Sequence, residues 1–178
     1  MGYQLQAVLA AADLLTARAA DLPEAAVVPL DHGMALVPMT ERLADALDSG
    51  APDPGTESLR FVWLPNGFDR VLADWSAAGP VAYVEADYFG GVGSQRAVVW
   101  LRGEVVLGPL GVAPGQPHGP PGSQISRSLA RLGVACDGAL DEFDTWACAA
   151  TGRPETGPAT RPRRRAAVAR ARTCGPGG

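Results

Sequence analysis

Two acidic residues, Glu85 and Asp87, lie in the segment with the strongest strand pattern of the sequence, residues 81–89. Side chains alternate along a strand, so both carboxylates share one face and reach the same solvent region. Paired carboxylates suit acid/base catalysis or a divalent cation, and one hypothesis is a small metal-dependent or hydrolytic enzyme that uses Glu85 and Asp87. The two histidines, His32 and His118, fall in a predicted turn and a Pro/Gly loop. The alternative is the polar side of a half-exposed strand.

A glycine-rich segment follows at once, Tyr-Phe-Gly-Gly-Val-Gly-Ser-Gln over residues 88–95. Glycines permit positive φ angles and close backbone approach, but no helix opens directly after them and no lysine follows. The segment is therefore neither a P-loop nor a dinucleotide-binding fingerprint. It is either a hairpin connection or a loop that contacts a partner, with polar contacts and aromatic anchors beside it. The predicted binding residues are Glu85, Asp87, Tyr88, Phe89, Gly90, Gly91, Gly93 and Gln95.

The charge is divided unevenly along the chain. All 15 basic residues are arginine, and isoleucine and asparagine occur once each, which points to a high-GC, bacterial genome. Residues 1–145 carry a net charge of −10 and residues 146–178 a net charge of +6. An acidic body repels phosphates, so nucleic-acid binding is a hypothesis only for the arginine-rich tail. That tail offers little apolar surface and is predicted to be disordered.

The cysteines give no metal or redox signature. Cys136, Cys148 and Cys174 have no C-x-x-C spacing and no nearby histidine, so no cofactor and no metal site are predicted. Free thiols are typical of a reducing cytosol. The N-terminus lacks a basic signal-peptide region, and Asp13 interrupts the apolar stretch after it, which indicates a cytoplasmic protein without a membrane segment.

The elements follow from periodicity and turn residues. Alternation and caps predict strands at 4–9, 26–30, 34–37, 81–89, 96–102 and 105–107, and helices at 10–20, 41–47, 66–77 and 124–132. Thr40 and Ser123 are predicted N-caps, 49–58 and 108–122 loops, and 61–64 a strand or core plug. The strands cluster in hairpins rather than βαβ units. We therefore expect an α+β domain over 1–145, with one mixed or mostly antiparallel sheet packed by three to four helices.

These segments resemble an uncharacterised family of small bacterial proteins without an established activity. The resemblance rests on the Tyr-Phe-Gly-Gly-x-Gly-x-Gln segment at 88–95, on the Ser-x-Ile-Ser pattern that opens residues 123–134, and on the acidic residues 141–144. It covers residues 1–145. The size and acidity resemble those of immunity or small adaptor proteins, and a non-enzymatic protein-binding module that uses residues 85–95 is the leading hypothesis.

The chain departs from this family after Thr145. A back-translation with GC-rich codons, read two bases later, gives an ending like that of the family. We therefore hypothesise a frameshift near Thr145, in which case residues 146–178 are out-of-frame translation. The nucleotide sequence around this codon tests the hypothesis.

Overall fold

The computed structural model describes residues 2–89, 92–116 and 123–134. The predictions for Gly90, Gly91, His118, the cysteines, residues 141–144 and the tail 146–178 lie outside these residues.

Six strands form one sheet in the order β2-β3-β1-β4-β5-β6. The strands are β1 (Gly2–Ala11), β2 (Val28–Pro29), β3 (Met34–Pro38), β4 (Val81–Phe89), β5 (Val92–Leu101) and β6 (Glu104–Val112). All their pairings are antiparallel. The helices of the described residues are α1 (Ala12–Ala19), α2 (Glu41–Leu47), α3 (Pro54–Leu59), α4 (Phe68–Trp75) and α5 (Gln124–Arg131). The predicted α+β class with a single sheet is confirmed.

Helices cover both faces of the sheet. On the first face, Val8, Tyr83 and Val98 pack against residues of α1 to α4, among them Phe68 and Leu72. On the second face, strand residues such as Val84 and Val99 pack against Ile125 and Leu129 of α5. Residues 81–86 are consequently buried without interruption, so β4 is not the half-exposed strand that the alternation suggested.

Local signals set several element boundaries as predicted. Thr40 Oγ1 accepts a hydrogen bond from the Leu43 N–H at 3.2 Å, and Ser123 Oγ accepts one from the Ser126 N–H at 3.1 Å. At the β5–β6 turn, Arg102 and Gly103 both have positive φ angles, 54° and 84°, as a two-residue hairpin turn requires.

Three segments differ from the prediction. Helix α3 begins inside the predicted loop 49–58, where Asp53 accepts a capping hydrogen bond from the Gly55 N–H at 2.8 Å and Pro54 is the first helical residue. Strand β6 continues through Val112 because pairing with β5 extends the ladder into the predicted loop 108–122. Residues 61–64 form no strand.

Candidate functional site

One end of the first face is left uncovered by helices. Here the exposed Gln4 of β1 pairs with the exposed Asp87 of β4, which in turn pairs with Ser94 of β5. Towards the hairpin tip, Phe89 pairs with Val92. We call this surface, with the two residues that border it, the open face; it consists of Gln4, Val62, Trp63, Asp87, Phe89, Val92, Ser94 and Arg96.

Glu85 fixes the segment that borders the open face. Its side chain is 6% exposed, and its carboxylate accepts hydrogen bonds from the backbone N–H groups of Val62, at 2.9 Å, and Trp63, at 2.6 Å. The Tyr83 hydroxyl donates a third hydrogen bond, at 3.3 Å. Burial raises the pKa of Tyr83 well above its usual range, and the negative charge of Glu85 raises it further. Glu85 therefore acts as a positioning residue that holds residues 62 and 63 against the sheet.

With the backbone held in this way, two of the apolar residues 61–64 face the core and two face solvent. The Phe61 ring packs edge-on against Tyr83, with ring centroids 5.1 Å apart, and Leu64 is buried. Val62 and Trp63 point outward and are 67% and 55% exposed. The prediction of a core plug is correct for two of these residues and wrong for Val62 and Trp63, because the anchored backbone turns them toward solvent.

The open face gathers the most exposed large hydrophobic side chains of the described residues. Phe89 is 82% exposed and Val92 is 54% exposed, and they lie at the same end of the sheet as Val62 and Trp63. Other exposed apolar residues, such as Val28 and Val105, are less exposed and lie on other strands. Exposed apolar residues grouped beside polar ones are typical of a surface that binds another molecule.

Trp63 lines neighbouring shallow depressions. One, of about 160 Å³, is lined by Gln4, Trp63, Asp87, Ser94 and Arg96 among others. A second depression of about 360 Å³, which Trp63 also lines, is bordered by acidic residues of α2, Glu41 and Asp45. Trp63 therefore borders both the strand residues of the open face and the acidic residues of α2.

The predicted binding residues divide between the two faces. Asp87 and Phe89 lie on the open face. Tyr88 lies on the second face, half-buried and stacked on Tyr3 with a centroid separation of 5.2 Å, and burial raises its pKa. Gln95 is 4% exposed, and its Oε1 accepts a hydrogen bond from the Ile125 N–H at 3.3 Å, so it ties α5 to the sheet.

Gly93 has a steric role in this hairpin. A Cβ added at Gly93 would lie 2.5 Å from the Tyr88 ring and 2.2 Å from the Asp87 carbonyl oxygen, closer than real contacts allow. The Tyr88 ring therefore occupies the space of the missing side chain. This explains one glycine of the segment by packing rather than by ligand contact.

Glu85 and Asp87 do not form the expected solvent-facing carboxylate pair. They share a face, but the Glu85 oxygens are occupied by backbone N–H groups, whereas Asp87 is exposed. His32 lies in the turn before β3, two residues before Met34. Met34 pairs with Ala11 of β1, which lies five residues along that strand from Gln6, the partner of Glu85. Within the described residues, no group of three His, Cys, Asp or Glu side chains is arranged to hold a metal ion.

Trp63 is the residue that sequence reasoning missed. The available signal is indirect: a Phe-Val-Trp-Leu run too short for a helix lies between the predicted loop 49–58 and the predicted helix 66–77. Which of its side chains faces solvent depends on Glu85, 22 residues further along the chain.

None of the helices in the described part of the chain has the length and hydrophobicity needed to cross a bilayer. No protein-family model, curated protein or solved structure matches the chain. The resemblance to a small bacterial family therefore stays a prediction, and any functional argument depends on the open face itself.

Proposed function

We propose that this protein is a non-enzymatic protein-binding module, immunity- or adaptor-like, and that it binds its partner through the open face. The observation that carries the proposal is the grouping of Val62, Trp63, Phe89 and Val92, the four most exposed large hydrophobic residues described, at one end of one sheet face. The strand and glycine segment 85–95 contributes Asp87, Phe89, Val92 and Ser94 to this surface.

The chemistry of the surface favours a protein partner. Tryptophan is among the residues that dominate binding energies at protein interfaces, and here it is surrounded by hydrogen-bonding side chains, Gln4, Asp87 and Ser94. A rigid sheet and a segment whose backbone is held by a buried carboxylate reduce the conformational entropy that binding would cost. The Glu85 carboxylate therefore favours partner binding by holding the segment in place, without contacting the partner itself.

The enzymatic alternative receives little support from this geometry, because the Glu85 carboxylate accepts hydrogen bonds from the backbone and no group of three His, Cys, Asp or Glu side chains in the described part of the chain could hold a metal ion. The arginine-rich tail, the basis for nucleic-acid binding, lies outside the described residues. As part of the same proposal, the protein acts in the cytoplasm of a bacterium with a high-GC genome, which the arginine-only basic residues and the cysteine pattern support.

Affinity capture from the lysate of the source cells tests the proposal, with the full chain as bait. A Trp63→Ala bait keeps its fold, because the side chain is more than half exposed, and it loses the specific partner. Truncation of an interfacial tryptophan costs about 2 kcal/mol or more, or roughly thirtyfold in affinity. Phe89→Ala has the same direction of effect.

Val62→Ala and Val105→Ala form a matched pair, since both valines are exposed but only Val62 lies on the open face. Retention is expected to fall for Val62→Ala and to stay unchanged for Val105→Ala. Equal retention by all four variants, or no specific protein retained by the wild type, contradicts the proposed function.

A further inference from the structure

A groove of about 490 Å³ lies beside the open face, between the end of α3 and the end of β6. Its walls are mainly apolar and include Leu59, Pro109, Leu110 and Val112. Ser94 and Arg96 belong both to this groove and to the depression beside Trp63. The two form one continuous surface, along which an extended segment can contact both.

Two arginines line the groove, Arg60 and Arg96, and none of the described residues that line it is acidic. Among the described residues neither guanidinium has an ion pair; the ion pair found there joins Arg70 and Asp53. Arg96 shares its strand face with Glu85 and Asp87, but no contact within ion-pair distance joins them. In a body with a net charge of −10, these two arginines, which form no ion pair among the described residues, give the groove positively charged side chains.

The charge of the lining changes sign beyond Trp63. Arg60 and Arg96 lie at the β6 end of the combined surface, whereas Glu41 and Asp45 border the next depression, which Trp63 also lines. A bound segment therefore meets guanidinium groups at one end and carboxylates at the other. Electrostatic complementarity of this kind fixes the direction and register of a partner.

We propose that the groove binds aspartate or glutamate side chains of a partner protein segment, whose neighbouring apolar residue contacts Trp63. Guanidinium groups are well suited to carboxylates because they donate two parallel hydrogen bonds in a planar fork. This inference rests on the proposed function and deepens it, since it names the chemistry of the partner segment.

The backbone provides an unusually well-matched control. Arg60 ends α3 in the left-handed conformation, with φ of 57°, and Arg102 has the same conformation at the β5–β6 turn, with φ of 54°. Glycine adopts this conformation without steric cost, so Arg60→Gly and Arg102→Gly both remove an exposed guanidinium from a backbone that tolerates the change. Arg102 does not line the groove.

The test is a random peptide library displayed on phage and selected on the full chain. We expect enriched peptides that contain aspartate or glutamate close to an apolar residue. Their affinity should fall about tenfold or more for Arg60→Gly and for Arg96→Gln, and should be unchanged for Arg102→Gly. Trp63→Ala should weaken the same peptides.

Each outcome decides between the two proposals. Enriched peptides that depend on Trp63 but lack acidic residues, or that are indifferent to Arg60→Gly and Arg96→Gln, overturn the inference and leave the proposed function standing. If Arg60→Gly and Arg102→Gly lower the peptide affinity equally, the loss reflects the net charge of the protein rather than the groove, and the inference is wrong. If no peptide is enriched, or if the substitutions of Trp63, Arg60 and Arg96 all leave the peptide affinity unchanged, both proposals are wrong.

Discussion

Replacing Glu85 with glutamine removes one oxygen acceptor from the buried anchor while preserving its shape. The amide oxygen of glutamine can still accept from one of the Val62 and Trp63 N–H groups, but its NH₂ group cannot accept from the other. One charge-assisted hydrogen bond is lost and one part-buried N–H is left without its partner, while the remaining backbone hydrogen bond and the one from the Tyr83 hydroxyl become neutral ones. Together these losses lower the free energy of unfolding by roughly 2–4 kcal/mol.

Asp87→Asn is the matched control, because Asp87 lies on the same strand and face and its carboxylate has no hydrogen bond among the described residues. Asp87→Asn should change the free energy of unfolding by no more than about 0.5 kcal/mol. Urea denaturation of the two variants measures the difference, and at a slope of about 2 kcal/mol per molar urea the Glu85→Gln midpoint falls by roughly 1–2 M. Equal midpoints for the two variants would refute the role assigned to Glu85.

Three further predictions concern the sheet and its flanks. Gly93→Ala forces a Cβ into the Tyr88 ring and lowers stability by about 1–3 kcal/mol in thermal denaturation, whereas Gly111→Ala, whose Cβ would meet nothing within 4 Å, is a neutral control. Asp53→Ala removes the N-cap of α3 and its ion pair and costs about 1–2 kcal/mol by urea denaturation; an unchanged midpoint contradicts the capping role. Because the pKa of Tyr83 is raised above its ordinary value of 10.0, its contribution to stability is complete below that pH and declines as the pH rises above it. In a spectrophotometric titration the Tyr83 phenolate should therefore appear only with alkaline unfolding, and ionisation in the folded protein contradicts its burial.

Much of the sheet could be predicted because its signals are local. The β-branched and aromatic run at 81–89 identifies β4, and Thr40 and Ser123 mark helix starts by their capping hydroxyls. The fold class follows from strands grouped in hairpins. Helix α3 is hard to predict because its six residues contain a proline and a glycine, which are typical of loops; the helix start is indicated only by Asp53 as a cap and Pro54 as the first helical residue.

The candidate site was only partly predictable, because it depends on contacts between distant residues. Alternation places Asp87 and Phe89 on one face and Tyr88 on the other, but it does not reveal that α5 covers the second face and binds Gln95. It also does not reveal that a segment more than twenty residues earlier in the chain occupies the carboxylate of Glu85. A charged residue within an apolar strand is equally compatible with a catalytic group and with a buried anchor until its partners are known.

Amide hydrogen exchange at Val62 and Trp63 tests most directly whether a buried carboxylate positions the exposed indole. In the wild type both amides should exchange slowly for a segment outside regular secondary structure, and in Glu85→Gln their protection should drop before that of the β4 amides. Fast exchange of both amides in the wild type, or identical exchange in the two proteins, would contradict the account.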